Sequence, residues 1–164
     1  LKWREATGDL KAWQTGRTGY PIVDAGMRQL WQMGWMHNRV RMITASYLTK
    51  HLLTDWRVGL AWFEHCLADW DAASNAMNWQ WVAGCGPDAS PYFRVFNPEG
   101  QAAKFDGKRR YQDHWLKPGA DGTREFAAAV PRAWGFDPQA PALPAIDLGQ
   151  GRQRALEAYA RFKR

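Results

Sequence analysis

Asp69, Asp71, Asn75, Asn78, Trp79 and Trp81 all fall in the stretch Leu67–Gly86, LADWDAASNAMNWQWVAGCG. A D-x-D pair can hold a metal or divide general acid and base between its carboxylates. Positions two apart on a helix face away from each other, however. No histidine stands at metal-ligand spacing from them, so no metal site is expected. A simpler role for Asp71 is helix N-cap. The amides and indoles point elsewhere. A helix over this stretch puts Asn75, Asn78 and Trp79 on one strip, while Trp81 looks away. Amides among large flat rings make a poor core but suit a flat, polar, ring-bearing ligand.

The elements that must position these groups are helices. Pro21 suits a first helical turn, Ile22, Val23, Met27, Leu30 and Trp31 recur at helical spacing, and Gly34 stops the run. A second helix is predicted over about His37–Leu53. Its core stripe is Val40, Ile43, Thr44, Tyr47 and Leu48, and a separate face carries Asn38, Met42 and Ala45. Arg39 and Arg41 point two further ways. Thr54 or Asp55 caps a third helix with a stripe of Val58, Ala61, Trp62 and His65. The fourth helix is the stretch above.

Beyond it, Cys85–Gly100 reads as a packed-down loop. Gln101–Phe105 is a short helical turn and Lys108–Leu116 a basic helix or turn. Pro118–Gly122 is a linker, and a short helix begins at Phe126 and ends by Pro131. Pro138, Pro141 and Pro144 make Gly135–Gly149 an extended strap. The last helix is about Gly151–Phe162. No convincing β-alternation appears, so the expected fold class is all-α.

The 164 residues suffice for one domain. The outlier in composition is the 11 tryptophans, a poor way to fill a core and a good way to stack rings or pass electrons. A net charge of +6 favours an anionic partner such as nucleic acid. Arg39, Lys104 and Lys108–Arg110 can track phosphates, and Trp81, Tyr92 and Phe93 can stack on a base. A run such as Lys108–Arg110 is also simply a solvated face. Cys66 and Cys85 have no metal or redox spacing, and reduced thiols in a cytoplasmic protein are the default. No apolar run approaches the roughly 20 residues of a membrane span. Leu1-Lys2-Trp3-Arg4 reads as mid-domain sequence, as in a piece of a longer protein. His37, His51, His65 and His114 are scattered and read as packing or surface residues.

Four blocks then match something specific: TGYPIVDAGMRQL (Thr18–Leu30), GWMHNRVRMITASYLTKHLLTDWR (Gly34–Arg57), NWQWVAGCGPD (Asn78–Asp88) and PYFRVFNP (Pro91–Pro98). In order and spacing they resemble the C-terminal part of the helical FAD-binding domain of the photolyase/cryptochrome family. The resemblance covers essentially the whole chain, residues 1–164. The N-terminal antenna domain and the early part of the FAD domain lie outside it. Trp35-Met36-His37-Asn38-Arg39 resembles class I cyclobutane pyrimidine dimer photolyases, where (6-4) photolyases typically carry a second His in place of Asn38.

The resemblance implies FAD as cofactor and a monomer acting on UV-damaged DNA, with light-driven splitting of pyrimidine dimers. A folate or deazaflavin antenna chromophore would sit on the missing domain. It implies flavin contacts for Asn38, Arg41, Asp69, Trp70, Asp71 and Asn75, with Asp69 paired to Arg41. It implies dimer or DNA contacts for Asn38, Arg39, Met42, Trp81, Gln101 and Lys104. It also implies an electron-transfer chain from Trp79 through Trp56 to Trp3. Met77 and Asn78 stand where some family members carry glycines, and the text after Asp106 is shorter than usual. A cryptochrome-type photoreceptor without repair, and a basic helical DNA-binding module without cofactor, are the alternatives.

Overall fold

The computed structural model describes residues 1–5, 7–85, 94–140 and 146–162, and among them there are helices and no strand. The described residues form nine α-helices in order: α1 Thr7–Gln14, α2 Pro21–Met33, α3 Asn38–Ser46, α4 Trp56–Cys66, α5 Ala72–Ala83, α6 Pro98–Phe105, α7 Arg110–Leu116, α8 Asp121–Ala129 and α9 Leu148–Phe162. A π turn, Tyr47–His51, extends α3, and a 3-10 turn, Arg132–Trp134, follows α8.

The central helix is α2. Pro21 opens it, and Gly34 closes it at φ +66° with its N–H donated to the carbonyl of Leu30, so both expected ends hold. Residues Ile22 to Leu30 are all buried. One side of α2 packs into the main core with Trp13, Val40, Ile43, Leu48, Phe63 and Trp79. The other side packs Ala25 into a smaller core with Trp115 and Phe126. Arg28 enters that second core and stays satisfied. Its guanidinium donates to the carbonyls of Gly16 and Trp115 (3.2 Å each) and lies 5.0 Å from the ring centre of Phe136.

Several expected boundaries are corrected. The helix predicted over His37–Leu53 runs without a break from Asn38 to His51, but its last turn widens to π pairing, where Leu52 N–H reaches back five residues to the Tyr47 carbonyl (3.0 Å). The whole π turn is buried, with α9 lying against it; a side chain at Gly151 would sit 3.2 Å from the His51 backbone. Leu53, at φ +53°, then reverses the chain towards α4. Asp55 is the α4 cap, accepting from Arg57 N–H at 2.9 Å. The inward stripe of α4 is Gly59 and Phe63, with Trp62 half-buried against the core as expected, while Val58, Ala61 and His65 are exposed; Trp79 and Leu48 crowd against Gly59.

Helix α8 starts inside the supposed linker, where Gly122 permits close approach of His114. Helix α6 begins earlier than Gln101 because Asn97 caps it, accepting from Gly100 N–H. Helix α9 begins before Gly151 because Asp147 accepts from Gln150 N–H. Tyr92, Phe93, Pro141 and Pro144 lie outside the described residues.

His51 is 1% exposed and stacks on Tyr47. Burial first, then the charges of Lys50 and Arg154, push its imidazole down to about 4. The folded state therefore refuses a proton that the unfolded chain accepts below about pH 6.5. Stability is lost as pH falls from about 6.5 to about 4, by roughly 2–3 kcal/mol. Asp24 opposes this: burial pushes its carboxyl up to about 6, against hydrogen bonds from Thr18 and Gly19. Denaturation midpoints of the protein and its His51→Gln variant across this window cancel the shared Asp24 contribution. The variant should gain on the parent by that amount as pH falls. A gap independent of pH would contradict the assignment.

Candidate active site

A cavity of about 210 Å³ opens between α3, α4 and α5. From α3 come Asn38, Arg41, Met42 and Ala45, at successive turns of one face. From α5 come Asn75, Asn78, Trp79, Trp81 and Val82, and α4 adds Phe63. The face read from the sequence as Asn38, Met42 and Ala45 is thus a wall of the cavity. Trp81 corrects the expectation that it looks elsewhere. It stands three residues beyond Asn78, so it shares the strip.

Trp79 is the floor and is 2% exposed. Its indole meets Phe63 edge-on at 4.9 Å and Trp13 edge-on at 6.2 Å, and Trp13 stacks on Phe63 at 6.0 Å. Trp13 is locked by its N–H to the Thr44 carbonyl (3.0 Å). Gly59 leaves room for the far edge of the Trp79 ring: a Cβ there would lie 2.3 Å from Trp79 Cη2.

Two connecting loops set the polar rim. Gly34, which caps α2, also accepts from Ala68 N–H at 2.8 Å, tying the α2–α3 loop to the α4–α5 loop. That tie places Asp69 opposite Arg41. One guanidinium nitrogen of Arg41 donates to both Asp69 oxygens, at 2.9 and 3.2 Å, and its Nε donates to the Met36 carbonyl at 2.5 Å. The Arg41–Asp69 pair expected from the sequence is present, but it is a rim pair, with Asp69 half exposed.

Asp69 lies before α5 and Asp71 is its N-cap, so the two do not share a helix. Asp71 accepts from Ser74 N–H at 2.7 Å, and this backbone hydrogen bond holds its carboxyl below the usual range. Asn75 donates to the Asp71 carbonyl at 2.9 Å, leaving its carbonyl oxygen for a ligand. Trp70 is half-buried against the main core. Among the described residues no group of three or more His, Cys, Asp or Glu could hold a metal, and no helix is long and apolar enough to cross a membrane.

The other predicted residues lie apart. Trp56 is the first residue of α4, half-buried against the core. Trp3 is half-buried in a groove with Leu53, Arg154 and Phe162. Among the described residues the rings touching Trp79 are Phe63 and Trp13, and no ring contact there joins it to Trp56 or Trp3. Trp79 is buried, whereas Trp56 and Trp3 are both half-buried. Arg39 and Lys104 converge on Phe105, on the other side of α3 from Arg41. Gln101 is half-buried, with its side-chain oxygen unpaired. His37 is the α3 cap, its Nδ1 accepting from Arg39 N–H at 3.1 Å. Sequence reading missed Phe63 and Gly59. The Gly59–Phe63–Leu67 spacing of four was the available signal.

Amide groups around an indole floor fit a planar heterocycle with polar edges, such as the ring system of a flavin. The volume is below the roughly 300–1,000 Å³ of a full ligand site, so these residues fit the ring portion of FAD and not the whole cofactor.

Comparison with known proteins agrees. The family model described as the FAD binding domain of DNA photolyase matches residues 1–161. The deoxyribodipyrimidine photo-lyase of Agrobacterium fabrum is 52% identical over all of this chain and 36% of its own length. The crystal structure of a class III photolyase from Agrobacterium tumefaciens superposes with a TM-score of 0.82 at 51% identity, over 99% of this chain and 35% of that one. A Synechocystis cryptochrome superposes at 0.79 with 36% identity, over 95% of this chain and 34% of that one. The chain spans about a third of the length of the relatives it matches.

The floor depends on the missing side chain at Gly59. Gly59→Ala should destabilise the fold by about 1–3 kcal/mol through overpacking. It should also shift the near-UV circular dichroism of the displaced indole. A normal melting temperature with an unchanged spectrum would show that Gly59 is not what seats Trp79.

Proposed function

The chain belongs to the family of the FAD-binding domain of DNA photolyase, and we propose that it is the C-terminal part of a flavin-dependent DNA repair lyase that splits cyclobutane pyrimidine dimers in UV-damaged DNA with light. One observation carries this reading: Asn38, Met42 and Trp81 line the same cavity as Trp79, Asn75 and Arg41. A dimer flipped from the duplex and the flavin ring would therefore share one walled space. The remainder of the FAD site, and an antenna chromophore of folate or deazaflavin type, belong to parts of the protein outside this chain. The protein acts as a monomer in the cytoplasm.

When bound, reduced FAD would supply, on excitation by light, the electron that opens the dimer ring. The chain's residues position and insulate. Asn75 offers its side-chain carbonyl to the flavin's polar edge, while Arg41, with Asp69, Trp70 and Asp71, frames the rim. Asn38 hydrogen-bonds a pyrimidine, Met42 gives a soft apolar contact, and Trp81 is a flat platform for a flipped base. Arg39, Gln101 and Lys104 hold the strand. Trp79, Trp56 and Trp3 form the route by which an electron enters from the surface to restore the reduced state. The burial of Trp79 and the partial exposure of Trp56 and Trp3 support that direction.

The Asn38 segment supports cyclobutane dimers over (6-4) photoproducts as substrate, but it does not itself separate class I from class III. The 51% identity to a class III photolyase favours class III over the class I resemblance of Trp35–Arg39. The cryptochrome reading is weaker because the repair-type relatives are more similar to this chain.

A benzene ring is far harder to oxidise than indole. In the full-length protein, Trp79→Phe should therefore abolish photoreduction of oxidised FAD while repair by chemically reduced FAD persists. Equal loss of both would mean that Trp79 only packs.

A further inference from the structure

Phe105 ends α6 and is 49% exposed. Two cations from different helices lie over its ring. The Arg39 guanidinium carbon is 4.7 Å from the ring centre and Lys104 Nζ is 5.3 Å away. Elsewhere in the described residues Arg4, Arg41, Arg57, Arg109 and Arg124 each pair with an aspartate, whereas neither Arg39 nor Lys104 is in such a pair. Asp106 is next in sequence, but its oxygens accept from Tyr111 N–H, Gln112 N–H and the Gln112 side chain. Two like charges thus meet at one ring with no carboxylate between them.

Like charges so placed repel, and the negative face of an aromatic ring is what holds them together without neutralising them. Phe105 is carried by the last turn of α6, and Arg39 starts from a backbone fixed by the His37 cap. A groove of about 350 Å³ runs beside them, lined by Trp35 (44% exposed), His37, Arg39, Phe105 and Tyr111 and also by Asp106, whose carboxylate is turned to the Tyr111 and Gln112 donors. The complement of two converging uncompensated cations is a phosphodiester oxygen, and the groove's rings accept the adjoining sugar or base.

We infer that Phe105 is a positioning residue for nucleic acid: it holds Arg39 and Lys104 side by side as one clamp on a backbone phosphate. This rests on the DNA partner proposed above and deepens it. The clamp reads no base and no lesion, so it strengthens binding to damaged and undamaged strands alike.

Binding is measured for the full-length protein on duplexes with and without a thymine dimer, across a salt series. Phe105→Leu keeps the apolar bulk and loses the ring. It should weaken binding about two- to fivefold on both duplexes. The salt slope should also fall, by less than the roughly 0.9 of a whole lost phosphate contact. Phe105→Trp should restore both. In an Arg39→Ala/Lys104→Ala background, Phe105→Leu should cost nothing further. Full-strength binding by Phe105→Leu would overturn the clamp, as would an additive loss in that background. A loss that tracks a lowered melting temperature and is not rescued by Trp would do the same. If the parent binds both duplexes equally, the repair reading fails while the clamp stands. If it prefers the dimer and ignores Phe105→Leu, the clamp alone fails.

Discussion

The packing of the Trp79 indole is the constraint on which the rest of the site depends. A large ring reaches the interior here only because Gly59 has no side chain and because Phe63 and Trp13 present their rings to it. Trp13 is in turn hydrogen-bonded to the backbone of α3. One contact set therefore joins α1, α3, α4 and α5. It also makes the core's surface and the cavity's floor the same object. Moving the ring for a larger neighbour would alter the space that a ligand sees, so stability and function are coupled at this point.

Around that floor, polarity is arranged by loops rather than by helix faces alone. Gly34 ends α2 and also bonds the segment before α5. Through that segment Asp69 meets Arg41, and Asp71 both caps α5 and orients Asn75. Charged residues thus stay at the rim, where a half-exposed pair gives modest stability and mainly fixes geometry. The two faces of α3 divide the work. One turns Asn38, Met42 and Ala45 into the cavity, and the opposite side sends Arg39 to Phe105. A damaged base and its backbone would be held by the same short helix.

Much of this was legible in sequence. The period of α3 placed Asn38, Met42 and Ala45 on one wall, and Pro21 and Gly34 bounded α2, because capping and periodicity are local. The resemblance paired Arg41 with Asp69. Other features were not local. The π turn at Tyr47–His51 answers to α9 packing on its backbone, which no pattern within α3 announces. The inward face of α4 turns on a glycine, which carries no hydrophobic signal of its own, so the spacing of larger residues points elsewhere. Trp81 joins the cavity strip because it lies three residues beyond Asn78. The clamp at Phe105 joins residues far apart in the chain, so spacing alone could not reveal it.

The cavity is proposed to serve a light-driven repair lyase. The most direct measurement takes the full-length protein with its flavin reduced, adds a thymine-dimer oligonucleotide, and follows the thymine absorbance under blue or near-UV light against a dark control. Recovery of that absorbance is expected in the light only. Tightly bound flavin and intact dimer binding without recovery would contradict it and point to a photoreceptor that keeps the pocket without the reaction.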